Sequence, residues 1–221
     1  MCPDESRGKD SFRVTFVIWR PRDVVGGDFY WFMRHEGGCL LALMDCTGHG
    51  GPGALLSVTA ASTLDGIAAR GGKHDPSEIL GELNLTLKKL LYQEREEETA
   101  DDGLEIGVCA WDSIARKLTF SGSRLALQAI GPDGLKVYPG DRQSIGYRRS
   151  PDGFRFTSHE LMADDEVAYV MTTDGFVDQN GGGSGYCFGK ARFQAVLAAL
   201  PARDLKTIRG EVGRASVRER V

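Results

Sequence analysis

The sequence predicts an α+β fold built on antiparallel sheet. Three observations carry this: short apolar or alternating stretches stand on both sides of a helical pair, Gly-rich turns join neighbouring stretches, and a helical pattern closes the chain. Strands in hairpins under separate groups of helices are most simply accommodated as two stacked sheets with the helices outside.

Phe12, Val14, Phe16 and Ile18 alternate with polar neighbours and predict a first strand, which Pro21 ends. Residues 29–33 supply a second, and His35-Glu36-Gly37-Gly38 turns the chain into a third at 39–44. Gly50-Gly51-Pro52-Gly53 is a turn with Pro near a helix start, and 54–69 is helical, with Leu56, Ala60, Leu64 and Ile67 on one face. Asp75-Pro76 opens the next helix, whose stripe is Ile79, Leu80, Leu83, Leu87, Leu90 and Leu91. The acidic run 94–98 opposes the helix macrodipole, so that end frays into a loop at 99–103. Residues 104–111 and 117–121 form a hairpin, 125–130 and 135–138 flank the turn Gly131-Pro132-Asp133-Gly134, and 154–161 and 167–173 complete the strands. Residues 189–200 and 204–214 return to helix.

A chain of 221 residues suits one large domain, and 41% hydrophobic with 26% charged residues is ordinary for a globular protein. The expected division is a disordered lead-in over 1–11 and a single domain over 12–221. A net charge of -4 argues against a nucleic-acid-binding face. No apolar run reaches the roughly 18 residues of a membrane span, and the polar segment 1–10 is no secretory signal. Five cysteines, without a Cys-x-x-Cys pair, suggest free thiols in a reducing cytoplasm and neither a disulfide framework nor a zinc site.

Chemistry concentrates in three stretches that place an aspartate at a glycine-rich break beside an apolar run: Gly26-Gly27-Asp28, Asp45-Cys46-Thr47-Gly48-His49-Gly50, and Thr172-Thr173-Asp174-Gly175. Any one alone reads as ordinary Asp-Gly turn chemistry. Three in one context point to acids converging at strand edges, an oxygen donor set suited to magnesium or manganese.

Val25-Gly26-Gly27-Asp28-Phe29-Tyr30, Asp45-x-Thr-Gly-His-Gly through Gly53-Ala54, Ser144-Ile145-Gly146, Thr172-Thr173-Asp174-Gly175-Phe176-Val177-Asp178-Gln179 and Phe188-Gly189 occur in this order. Together they resemble the metal-dependent serine/threonine phosphatases of the type 2C (PPM) superfamily, in the bacterial branch named after the stage II sporulation phosphatase E. The resemblance implies an α-β-β-α sandwich of two antiparallel sheets flanked by helices, with two Mn2+ or Mg2+ ions at one sheet edge. It makes Asp45 the carboxylate bridging both ions, Asp28 the ligand of one and Asp174 of the other, with the Cys46 backbone carbonyl as a further ligand. Asp102 lies near where some members bind a third ion. Arg22, with Arg20, is a candidate for the substrate phosphate. His49, Gly27, Gly48 and Gly175 are assigned to loop support, His49 having general acid as its other reading. Ser121-Gly122-Ser123-Arg124 stands where relatives carry Asn-Ala-Gly-His and is expected to be a hairpin turn near the cleft.

The chemistry the resemblance implies is direct in-line attack on phosphoserine or phosphothreonine by a hydroxide bridging two cations roughly 3.5–4 Å apart. The sequence shows no Cys-x5-Arg loop, Gly-x-Ser-x-Gly elbow or Walker-type Gly-Lys-Ser/Thr. The implied substrate is a phosphorylated STAS-like anti-sigma-factor antagonist. The implied partners are an upstream sensor or dimerisation domain and a second copy in a homodimer, signalling through the two helices after Asp45. The expected location is the cytoplasm, either free or as the cytoplasmic catalytic domain of a larger, membrane-anchored protein. Family members end in a strand with an acidic pair, where this sequence reads Arg218-Glu219-Arg220-Val221. The expectation is therefore a C-terminally truncated domain without the final strand, weak in one ion and reduced in activity. The alternative is a phosphatase-fold domain kept for regulation or scaffolding without the chemistry.

Overall fold

The computed structural model describes residues 17–18, 26–70, 74–93, 101–162, 164–178, 187–200 and 205–218. The strand expected at 12–18 falls mostly outside them, as do Arg20, Arg22 and the acidic run 94–98. Strands β1 (Asp28–His35) and β2 (Gly38–Cys46) form a hairpin around Glu36 and Gly37, the latter with φ 84°. Helices α1 (Gly50–Ala69) and α2 (Pro76–Leu90) follow. Then come β3 (Leu104–Asp112), β4 (Lys117–Ser123), β5 (Leu127–Gly131), β6 (Gly134–Tyr138), β7 (His159–Met162) and β8 (Ala168–Val170). The short α3 (Asp174–Val177) and the helices α4 (Lys190–Ala198) and α5 (Leu205–Arg218) close the order.

The strands make two antiparallel sheets, ordered β1-β2-β3-β4-β7 and β6-β5-β8. Alternation along the strands sorts their side chains into layers. Leu40, Ala42 and Met44 of β2 and Leu104, Ile106 and Val108 of β3 bury against Leu56, Ala60 and Leu64 of α1 and Leu80, Leu83 and Leu87 of α2. Cys109, Leu118, Phe120 and Leu161 meet Leu127, Tyr138 and Tyr169 between the sheets. Ile130 and Ala168 pack under Phe193 and Leu197 of α4 and Ile208 and Val212 of α5. The layering is thus α-β-β-α, as expected.

α1 begins four residues earlier than the helical pattern suggested, taking in Gly50 to Gly53. α2 starts where expected: the Asp75 carboxylate accepts from the Ser77 backbone N–H at 2.7 Å, with Pro76 in the first turn. Its predicted stripe holds through Leu87, but Leu90 is 52% exposed, because the helix ends there and turns away.

β7 and β8 are markedly shorter than predicted, and β5 starts two residues late, at Leu127. Of 154–161, the ladder takes in 159–161, and the strand runs to Met162. Thr157 N–H instead donates to the Asp141 carboxylate at 2.6 Å, and the rings of Phe154 and Phe156 meet edge to face at 4.9 Å beside the first core. Of 167–173, β8 keeps three residues, since Thr173 adopts the extended N-cap position of α3.

Candidate metal centre

β-Sheet register builds the acidic site. Asp28 of β1 stands opposite Asp45 of β2, and Asp45 stands opposite Glu105 of β3. Because neighbours on both sides of Asp45 and Glu105 bury toward α1 and α2, these acids project to the other face, toward the second sheet. Asp45 therefore lies inside a strand, one residue from its end, where the sequence suggested a break after it. Asp174 reaches the row from the far sheet, as the first residue of α3 after β8.

Contacts fix these carboxylates to one another. Thr173 Oγ1 donates to Asp28 Oδ2 at 3.1 Å. A Cβ on Gly175 would lie 3.1 Å from the same oxygen, so the glycine admits Asp28 at close range. The Asp45 carboxyl lies close enough to those of Asp28 and Asp174 for each to act on it. Burial, then the negative charges of Asp174, Asp28 and Glu105, push the Asp45 carboxyl up to about 8. Burial and Asp174 also raise Asp28, against the lowering by Thr173. Glu105 is raised by burial and by Asp174, with Arg124 and Lys190 acting in the opposite sense.

Three glycines let the loops close on this row. A Cβ on Gly27 would stand 2.4 Å from the Cys46 carbonyl oxygen, and one on Gly53 would stand 2.5 Å from the Gly48 carbonyl oxygen. Gly48 itself has φ 88°. Ser57 Oγ lies 2.8 Å from the carbonyl oxygens of both Gly27 and Gly53 and ties α1 to the stack. The Cys46 thiol is buried in the helix-side core, burial pushes it up to about 12, and its carbonyl oxygen faces Gly27. His49 occupies the N-cap position of α1 without a side-chain capping bond.

Asp102 sits beside this site on the loop before β3, where its carbonyl accepts from Gln93 Nε2 at 3.1 Å. The adjacent Gly103 carbonyl accepts from Thr47 N–H and Thr47 Oγ1, both at 2.8 Å, and Thr47 Oγ1 also meets the Tyr147 hydroxyl. Sequence reasoning missed Glu105, Thr173, Ser57, Thr47 and Tyr147. The alternation Leu104, Glu105, Ile106 was the signal available for the first of them.

The donor set is all oxygen and suits a hard divalent cation. Half-buried carboxyls this close together repel one another when ionised, and a bound cation would offset that repulsion. The linkage is pairwise: among the described residues no three His, Cys, Asp or Glu side chains are already gathered as a set that could hold an ion.

Comparison with known proteins identifies the fold. The SiaA-PP2C domain of Pseudomonas aeruginosa shares 31% identity over 92% of this chain and 78% of its own, with a TM-score of 0.79. The PP2C phosphatase domain, with a regulatory fragment, of SpoIIE from Bacillus subtilis has the same fold at 16% identity and a TM-score of 0.66, over 89% of this chain and 55% of its own. RsbX in complex with magnesium matches at 13% identity and a TM-score of 0.59, over 90% of this chain and 82% of its own. No curated protein sequence matches. The family model described as stage II sporulation protein E (SpoIIE) matches residues 35–220. The chain therefore belongs to the SpoIIE family and carries the fold of the PP2C protein phosphatases.

Proposed function

We propose that the chain is a metal-dependent protein serine/threonine phosphatase acting on a phosphorylated STAS-like antagonist protein in bacterial signalling. The observation that carries this is the convergence of Asp28, Asp45 and Asp174 from three separate elements onto one sheet edge. Asp45 would bridge two Mn2+ or Mg2+ ions, Asp28 and Asp174 would each hold one, and the Cys46 carbonyl would add a ligand. When bound, such a pair neutralises a phosphomonoester and acidifies water for in-line attack. Thr173 fixes the Asp28 carboxylate by its hydroxyl, and the Gly27–Gly48–Gly53 stack fixes the loop that follows Asp45.

Hydrolysis of p-nitrophenyl phosphate with added Mn2+ tests the reading. The chain is expected to turn over in Mn2+, to stop in chelator, and to lose at least a hundredfold in kcat on Asp45→Asn, on the order of 2.7 kcal/mol. Metal-independent hydrolysis, or an unaffected D45N, would sink it. A regulatory domain without chemistry is the second reading, favoured by the pairwise linkage of the acids; there the wild type is inactive in the same assay. Control from an upstream sensor or a second copy would pass through α1, which starts five residues after Asp45. A Mn2+ affinity that stays constant on enforced dimerisation would count against that control.

A further inference from the structure

The acidic row does not end at Glu105. Ile106 of β3 pairs with Ser123 of β4, so the residue after Ser123 arrives beside Glu105. That residue is Arg124, and its Nε lies 3.6 Å from Glu105 Oε1, with half of the Arg124 side chain exposed. Its backbone is held left-handed, at φ 60°, by two bonds of 2.8 Å: Arg124 N–H to the Asp141 carbonyl and Leu125 N–H to the Ser123 carbonyl. Ser123 Oγ donates to the Gln143 carbonyl at 2.6 Å and anchors the turn from beneath. A non-glycine residue kept at positive φ by several contacts is backbone strain that the surroundings maintain. The result is a guanidinium at the end of a line running Asp28, Asp45, Glu105, Arg124 across four adjacent strands.

We propose that Arg124 binds the phosphoryl group of the substrate and that Glu105 is the positioning residue that aims it. A site made of carboxylates repels a phosphate dianion, and a cation at its rim offsets that repulsion. The planar guanidinium suits the task, since one nitrogen can face Glu105 while the others pair with phosphoryl oxygens. This rests on the reading of the chain as a phosphatase. The hairpin turn expected at 121–124 is not what forms: β4 runs on to Ser123, and Arg124, just past its end, joins the site.

The test measures inorganic phosphate binding to the Mn2+-supplemented chain by calorimetry, alongside kcat and KM for p-nitrophenyl phosphate. Arg124→Asn accepts a left-handed backbone and removes the charge. It is expected to weaken phosphate roughly tenfold to a hundredfold and to raise KM by a similar factor. Arg124→Lys should recover part of both. Glu105→Gln should move KM in the same direction by less, and unchanged circular dichroism marks each variant as folded. If R124N binds phosphate as tightly as the wild type, the proposal falls while an active wild type keeps the phosphatase reading. If the wild type hydrolyses nothing but binds phosphate through Arg124, the phosphate site survives, while the enzyme reading and the substrate role built on it fall together. Absence of phosphate binding to the wild type overturns the proposal.

Discussion

Gly27 shows how narrow the tolerance of this site is. Its missing Cβ is the space that the Cys46 carbonyl oxygen fills, and that carbonyl belongs to the residue next to Asp45. Backbone cannot swing aside as a flexible side chain can, so Gly27→Ala must separate β1 from the end of β2. The expected cost is about 1–3 kcal/mol in urea unfolding, the range for an overpacked site, together with a weaker Mn2+ affinity. A G27A protein with wild-type Mn2+ affinity would show that the carbonyl and the acids move independently. Glu105 makes a different point at this scale. One glutamate in an alternating strand reads as an ordinary solvent-facing residue, and nothing within 104–111 hints at a partner acid. Pairing with β2 places it beside Asp45.

At the scale of elements, α2 does more than cover a sheet. Asn84 is buried, donating from Nδ2 to the Pro151 carbonyl at 3.1 Å and accepting the Gly146 N–H at 2.9 Å. One turn on, buried Lys88 donates to the Ser150 carbonyl at 2.9 Å and pairs with Asp152. Both bonds hold the loop that carries Tyr147, whose hydroxyl meets Thr47, two residues after Asp45. α2 is therefore linked to the acidic site through a loop of hydrogen bonds and not by packing alone. Asn84→Ala leaves the Gly146 N–H and the Pro151 carbonyl without this partner. It is expected to cost about 1–6 kcal/mol, from one to two buried groups at about 1–3 kcal/mol each, read as a lowered urea midpoint. A loss below about 0.5 kcal/mol would mean that the loop is held by other contacts. The sequence concealed this too, since a Lys within a Leu-rich stripe reads as the solvated flank of an amphipathic helix.

At the scale of the whole molecule, acids brought together by folding make stability depend on pH and on metal. Asp45 titrates near 3.9 in an unfolded chain and is pushed up to about 8 in the fold. Between those values the folded state keeps a proton that the unfolded state has released. Stability from this group is therefore complete below about pH 4 and is lost as pH rises through about 8. The metal-free chain should melt at progressively lower temperature across that window, and Asp45→Asn should flatten the decline. Mn2+ should reverse it at the alkaline end, adding about 2.7 kcal/mol at a hundredfold excess over its Kd. Scanning calorimetry with chelator and with Mn2+ gives both readouts; a melting temperature that rises with pH in chelator would contradict the assignment. No helix among the described residues is long and apolar enough to cross a membrane.

Much of this architecture is local and was legible from sequence. The 3.6-residue stripes of α1 and α2, the hairpin of β3 and β4, and the turns at 36–37 and 132–133 are each set by neighbours within a few positions. The order of the Asp-bearing motifs also carried the family, the layering and the three acids Asp28, Asp45 and Asp174. Lost from view were the true bounds of β7 and β8: Asp141 takes the Thr157 donor before β7, and Thr173 leads into α3 after β8. So were Glu105, Arg124, Asn84 and Tyr147, whose roles depend on partners tens of residues away. Sequence by itself determined most of the strands and helices and singled out Asp28, Asp45 and Asp174 as candidate acids, because propensity and turn chemistry act over short range. Tertiary structure alone decided which residues share a row, because register is set by hydrogen-bond ladders and buried faces joining strands far apart in the chain.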